Sequence, residues 1–168
     1  MLKKIIIIIF LLISYSNVSK ANQTIYVIDF EFLVNNSNYS KKVFYELDQY
    51  IEKKKSILNE DAKLLKESDN NLSLKKNVIS KKEFENEASE LSKKIKDFNQ
   101  KKEKISLEIN SLKQEKIADI IKKINPVIKK FSDDNDVDII FDLKSVIISK
   151  NKFDITNEML EKINTELK

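Results

Sequence analysis

"FENEASELSKKIKDFNQKKEKISLEINSL", residues 84–112, carries apolar side chains at Phe84, Ala88, Leu91, Ile95, Phe98, Ile105, Ile109 and Leu112. The steps alternate four and three, and only Lys102 interrupts the row. Apart from Leu107, everything between is Lys, Glu, Asp, Asn, Gln or Ser. Alternating steps of this kind make a narrow stripe along one side of a helix, the seam of a coiled coil. A helix so polar elsewhere does not hold its shape alone in water, so the seam requires a partner.

The partner lies upstream in the same chain. Phe44, Ile51, Leu58, Leu65 and Leu72 recur every seven residues, and Val43, Tyr50, Ile57 and Leu64 repeat one position earlier. Between the two seams, "SDNNLSLKKN" (68–77) is rich in residues of poor helix propensity, which predicts the turn there. Ser80 and Glu83 then form an S-x-x-E capping box, with Ile79 and Phe84 in the two positions of a hydrophobic staple. Residues 41–125 are therefore expected to fold as a long antiparallel coiled-coil hairpin with its tip near 70–80.

The flanking regions, 22–40 and 126–168, read as one small body. "TIYVID" (24–29) is a strand without a polar face, which asks for cover on both sides. Phe30–Val34 suits one helical turn, and "NNSNYS" (35–40) a loop. Ile117, Ile120, Ile121, Ile124, Val127, Ile128 and Phe131 form a denser apolar face where the second arm rejoins the body, and Pro126 should kink or break that helix. In "VDIIFD" (137–142), Val137, Ile139 and Phe141 alternate with Asp138, Ile140 and Asp142, predicting a strand with the first three facing inward. "VIIS" (146–149) reads as a further strand, and "DITNEMLEKINTEL" (154–167) as an amphipathic helix capped by Thr156 or Asp154. The fold class is α+β and mainly helical. A body of about 60 residues is small for an independent core, and its apolar edge strands call for self-association. The strand residues expected to serve that assembly are Ile25, Val27, Val137, Ile139, Phe141, Val146 and Ile148.

Residues 1–21 have another purpose. Lys3 and Lys4 precede the nine-residue run "IIIIIFLLI" (5–13), too short to span a bilayer, and Ser19 and Ala21 occupy the small-residue positions of a cleavage site. We expect a signal peptide cut between Ala21 and Asn22 and an exported mature protein. The formal charge of +4 includes Lys3, Lys4 and Lys20; without them 28 Lys face 27 acids. A nearly neutral chain without a single Arg lacks the basic face and the bidentate forks that nucleic acid requires.

The composition also excludes most chemistry. With no His, Cys or Gly, the chain has no usual acid–base group, thiol or imidazole ligand, or glycine-built phosphate loop, so neither an enzyme nor a cofactor or metal site is expected. Asp134, Asp136 and Asp138 mimic the opening of a calcium loop, but Ile139 stands where Gly is needed and Ser145 where a bidentate Glu belongs. Charge is nevertheless unevenly spread: residues 41–125 hold 21 Lys against 16 acids, and the body is net acidic. Lys75, Lys76, Lys81 and Lys82 flank the expected tip, a basic group suited to acidic client segments or anionic lipid headgroups.

The order of parts resembles the Skp/OmpH family of periplasmic chaperones, most specifically in "IYVIDF" and in "VDIIFDLKSVIIS…DITNEML". Where that family often has Gly before the second strand, this chain has "DDNDVD". The resemblance implies a homotrimer whose strands build a common body and whose three hairpins surround a cavity. It implies a periplasmic, ATP-independent holdase for unfolded outer-membrane proteins, with lipopolysaccharide as a further partner. A structural coiled-coil envelope protein and a lipid-binding module are the alternatives left open by the residues themselves.

Overall fold

The computed structural model describes residues 23–167, so the signal peptide and the Ala21–Asn22 cleavage position lie outside the described residues. The element order is β1 (Ile25–Ile28), α1 (Phe30–Asn36), α2 (Asn38–Lys75), α3 (Lys81–Asp134), β2 (Ile139–Asp142) and α4 (Thr156–Glu166), with short 3-10 turns at Leu143–Ser145 and Asn151–Phe153. Two long helices joined at a tight tip and a two-stranded sheet at the far end make the fold α+β and mainly helical.

The first three helices start at a short polar cap residue, whereas the N-cap position of α4 is Ile155, which makes no side-chain cap bond, in place of the expected Thr156 or Asp154. Asp29 accepts from Phe32 N at 2.8 Å to open α1, and Ser37 accepts from Ser40 N at 3.2 Å to open α2. The stretch 35–40 is thus not a loop: Ser37 alone leaves helical geometry, with φ −62° and ψ 148°, and it separates two helices. Its hydroxyl and that of Ser40 are 2.6 Å apart and fully buried, so the sharp change of direction leaves no orphaned polar atom.

The Asn- and Ser-rich tract does not end α2 either, which runs on to Lys75. Leu72 in its middle is buried, and across the arm so is Leu91; tertiary packing overrides weak propensity here. The turn occupies only residues 76–80. Ser80 then caps α3, accepting from Glu83 N at 3.3 Å, while Ile79 and Phe84 are both half-buried. Cross-arm contacts set the antiparallel register: Lys75–Glu87 at 2.9 Å, Lys101–Asp61 at 2.6 Å and Lys54–Glu108 at 3.3 Å.

Pro126 lies inside α3, which is continuous from Lys81 to Asp134. The expected break does not occur because Ile124 and Val127, on either side of it, are both locked in the core. That core joins Ile120, Ile124, Val127 and Phe131 of α3 to Leu33 and Val34 of α1 and to Met159 and Ile163 of α4, with Ile28, Val137 and Ile155 closing it. Thr156 ties the layers together. Its buried hydroxyl accepts from Asp29 N at 2.8 Å and donates to Asp154 Oδ1 at 2.5 Å, and the same carboxylate oxygen accepts from Thr156 N at 2.9 Å.

The sheet is parallel, pairing Ile25 with Ile139, Tyr26 with Ile140, Val27 with Phe141 and Ile28 with Asp142. Ile140 packs on the core, whereas Ile139 and Phe141 point away from it and remain 39% and 44% exposed. The expected inward alternation is therefore reversed, because the chain offers helices to only one side of the sheet. Val137 is buried as expected, but before the strand, where Val137 N donates to Ser132 O at 3.0 Å. Residues 146–149 form no strand in the single chain: Val146 N donates back to Leu143 O at 3.1 Å, closing a 3-10 turn. Ile147 and Ile148 are 99% and 86% exposed, and this segment does not add to the free edge of β2.

Candidate functional site

Three surfaces carry the residues singled out by the sequence. The first is the wall of the arm. The heptad row Phe44, Ile51, Leu58, Leu65 and Leu72 faces the second arm, half-buried or buried, but the parallel row drifts outward to leave Ile57 and Leu64 exposed. On α3, Ile95, Leu107 and Ile117 are exposed as well. A left-handed supercoil can cover one stripe per helix, and a second stripe beside it stays open to water. An open surface groove of about 410 Å³ runs beside the seam, lined in part by Leu64, Leu65, Phe98 and the Asp61–Lys101 pair.

Polar contacts punctuate that wall. The Tyr50 hydroxyl donates to Glu108 Oε1, Lys54 Nζ reaches both Glu108 oxygens at 3.3 Å, and Lys54 sits 5.1 Å from the Tyr50 ring centroid. The Tyr50 hydroxyl first, and Lys54 second, hold the Glu108 carboxyl below the ordinary carboxylate value. Tyr50 and then Glu108 push Lys54 upward. Near the body, Lys130 above all lowers the Glu166 carboxyl, with Lys162 adding to it. These are exposed structural contacts that fix how one arm lies on the other. The spacing of apolar residues cannot announce them, although Glu108 stands directly beside the seam residue Ile109.

The second surface is the outer face of the sheet. Ile25, Val27 and Phe141 line a groove of about 540 Å³ with Val146, Ile148 and Phe153. Five of the seven residues expected to serve assembly therefore meet at one groove, with Ile139 exposed on the neighbouring strand position and Val137 set apart in the core. No acid or base other than Lys150 lines it.

The third surface is the tip. Lys75 pairs with Glu87, and Lys81 lies 3.9 Å from Glu85, while Lys76 and Lys82 have no acidic partner among the described residues. Leu74 and Val78, at 77% and 81% exposure, stand among these lysines and escaped a reading based on charge alone.

Among the described residues no group of His, Cys, Asp or Glu is placed to hold a metal ion, and no helix is long and apolar enough to cross a membrane. The model of the OmpH-like outer membrane protein family matches residues 24–163. No curated protein matches the chain. A crystal structure from Caulobacter crescentus CB15, of an OmpH-like outer membrane chaperone, superposes with a TM-score of 0.81 over 88% of this chain and 87% of its own, at 18% identity. At that identity the likeness is one of fold.

Proposed function

Since this chain belongs to the OmpH-like outer membrane protein family, we propose that it is an ATP-independent periplasmic holdase for unfolded outer-membrane proteins. The observation that carries the reading is the incompletely covered arm. Ile57, Leu64, Ile95, Leu107 and Ile117 are spread along it between charged residues, so an unfolded chain finds many weak apolar contacts and no single tight pocket. Weak, distributed contacts suit a client that must be held and then let go. The solved relative's description as an outer membrane chaperone supports the same class.

The holding cavity requires more than one arm. The apolar groove at Ile25, Phe141, Val146 and Ile148, with Ile139 beside it and Val27 buried at its floor, is the surface on which three bodies would join, and residues 146–149 would gain there the strand partner that one chain lacks. The body, residues 22–40 and 126–168, is then the assembly unit and residues 41–125 the wall. Export by cleavage between Ala21 and Asn22 delivers the protein to its clients.

Sedimentation of the protein from Asn22 onward, with and without an unfolded outer-membrane barrel diluted from urea, tests this reading. A soluble complex of one client per trimer is expected, with aggregation suppressed at that ratio. Undiminished aggregation at excess protein would leave a structural envelope coiled coil as the better reading.

A further inference from the structure

Three cross-arm ion pairs share one offset. Lys54 pairs with Glu108, Asp61 with Lys101 and Lys75 with Glu87, so each step of one heptad along α2 is answered by one heptad along α3. The level that this spacing leaves between the last two holds Ser68 and Lys94, which line the same two open grooves of about 410 and 360 Å³. Ser68 turns its hydroxyl to Leu64 O at 2.8 Å and contributes no charge. The apolar rows that begin at Phe44 and at Phe84 repeat with the same period. Sliding one helix by a whole heptad therefore sets apolar residue against apolar residue again. Burial along the seam does not choose between these pairings; charge does.

We infer that this polar column is a register lock: the order of its charges excludes the heptad-shifted hairpins that the apolar rows permit. Shifted one way, α3 brings Lys101 opposite Lys54 and leaves Asp61–Lys94 as the one attractive level, with Glu87 against Ser68 and Ser80 against Lys75. Shifted the other way, Glu108 meets Asp61 and Lys94 meets Lys75, two like-charged levels against a single Lys54–Glu115 attraction. Only the observed offset gives three attractive levels and no repulsive one. The first shift is the stronger competitor. It draws the turn back by about half a heptad, from residues 76–80 into the Asn- and Ser-rich tract of 68–77, where helix propensity is poor. Exposed ion pairs are individually weak, so the choice rests on the whole column. It matters before the body exists. Lys75 and Glu87 lie 12 residues apart and Thr24 and Asp138 lie 114 apart, so the short loop closes at far lower entropic cost. A hairpin paired one heptad off would leave a surplus heptad of α3 at the root. Ile120, Ile124 and Phe131 could not then reach Leu33 and Met159 while β1 meets β2. The lock does not depend on the holdase reading.

The chain has no cysteine, so spin labels at Ser56→Cys and Asn86→Cys, both exposed positions, report the register without further substitutions. At about 1.5 Å per residue the observed pairing separates them by about 30 Å along the arm, and the competing pairing by about 20 Å. The protein from Asn22 onward, with labelled chains diluted into unlabelled ones, is refolded from urea and frozen at intervals for double electron–electron resonance. The native chain should show the longer distance from its first compact species onward. Lys101→Glu repels Asp61 in the observed pairing and attracts Lys54 in the shifted one. The shorter distance should therefore appear early in about a tenth of the molecules or more and decay slowly. Adding Asp61→Lys restores the attraction at the observed offset and makes the shifted level at Lys94 repulsive, so the shorter distance should vanish. The longer distance alone, at every time in Lys101→Glu, overturns the proposal. So does a shorter-distance population, or a folding defect, that Asp61→Lys fails to remove.

Discussion

Asp136 adopts φ 49°, the one non-glycine residue among those described in the left-handed region. It stands just past the end of α3, and a chain without glycine must use the next most tolerant kind of residue there. A short side chain with a local hydrogen-bond acceptor is what makes Asp acceptable there. Asp136→Gly should therefore leave stability within about 0.5 kcal/mol, whereas the β-branched Asp136→Val should cost about 1–2 kcal/mol. Urea midpoints of the two variants check the difference; equal midpoints would mean the bend relaxes at no cost. The isolated residue type carries no sign of this conformation in the sequence, because Asp is equally at home in an ordinary turn.

At the scale of the element, the Ser80 cap stabilises the outer end of α3. Ser80→Ala should cost about 1 kcal/mol locally, with faster hydrogen exchange confined to residues near 70–95 and the body still protected. Loss of protection throughout would show that tip and body unfold as one unit. Farther in, the Tyr50–Lys54–Glu108 contact depends on an ionised carboxylate. Because the folded protein holds Glu108 below its ordinary value of 4.5, the contact contributes fully above that range and fades as pH falls through the lowered value. Carbon-13 NMR of the Glu108 carboxyl should titrate below 4.5 and move toward it in Tyr50→Phe; a midpoint at or above 4.5 in the native chain would contradict the geometry. Elements whose signal is local are legible in the sequence: the Ser80 start and, apart from the exposed Ile95, the seam of residues 84–112 are where capping chemistry and spacing place them. The Asn- and Ser-rich end of α2, the helix through Pro126 and the break at Ser37 were not, since each is decided by burial against residues remote in the chain. The orientation of β2 was missed for a similar reason, because a period of two fixes which residues share a face but not which face meets the helices.

For the whole molecule, the exposure of Ile139 and Phe141 in the single chain has a direct consequence for a double substitution to Asp. It places charges on a face already open to water, so the protomer should fold normally, while burial of those charges between protomers would be very costly. Equilibrium sedimentation should give a trimer for the native protein from Asn22 onward and a folded monomer for Ile139→Asp with Phe141→Asp; a native monomer at micromolar concentration would remove the proposed assembly. The aqueous face of the sheet was legible in the sequence as apolar, but a single chain cannot reveal what covers it. The parallel pairing of β1 with β2 also dictates an order of events. Thr24 and Asp138 meet across 114 residues, a loop whose closure from a random chain is entropically unfavourable. Lys75 and Glu87 meet across 12, and Tyr50 and Glu108 across 58. Folding can therefore nucleate at the tip and zip toward the base, each turn of the hairpin shortening the span still to be closed. On that route the strands would come into register last, and the sheet on which other copies would assemble would exist only once the arm has carried the two ends of the chain together.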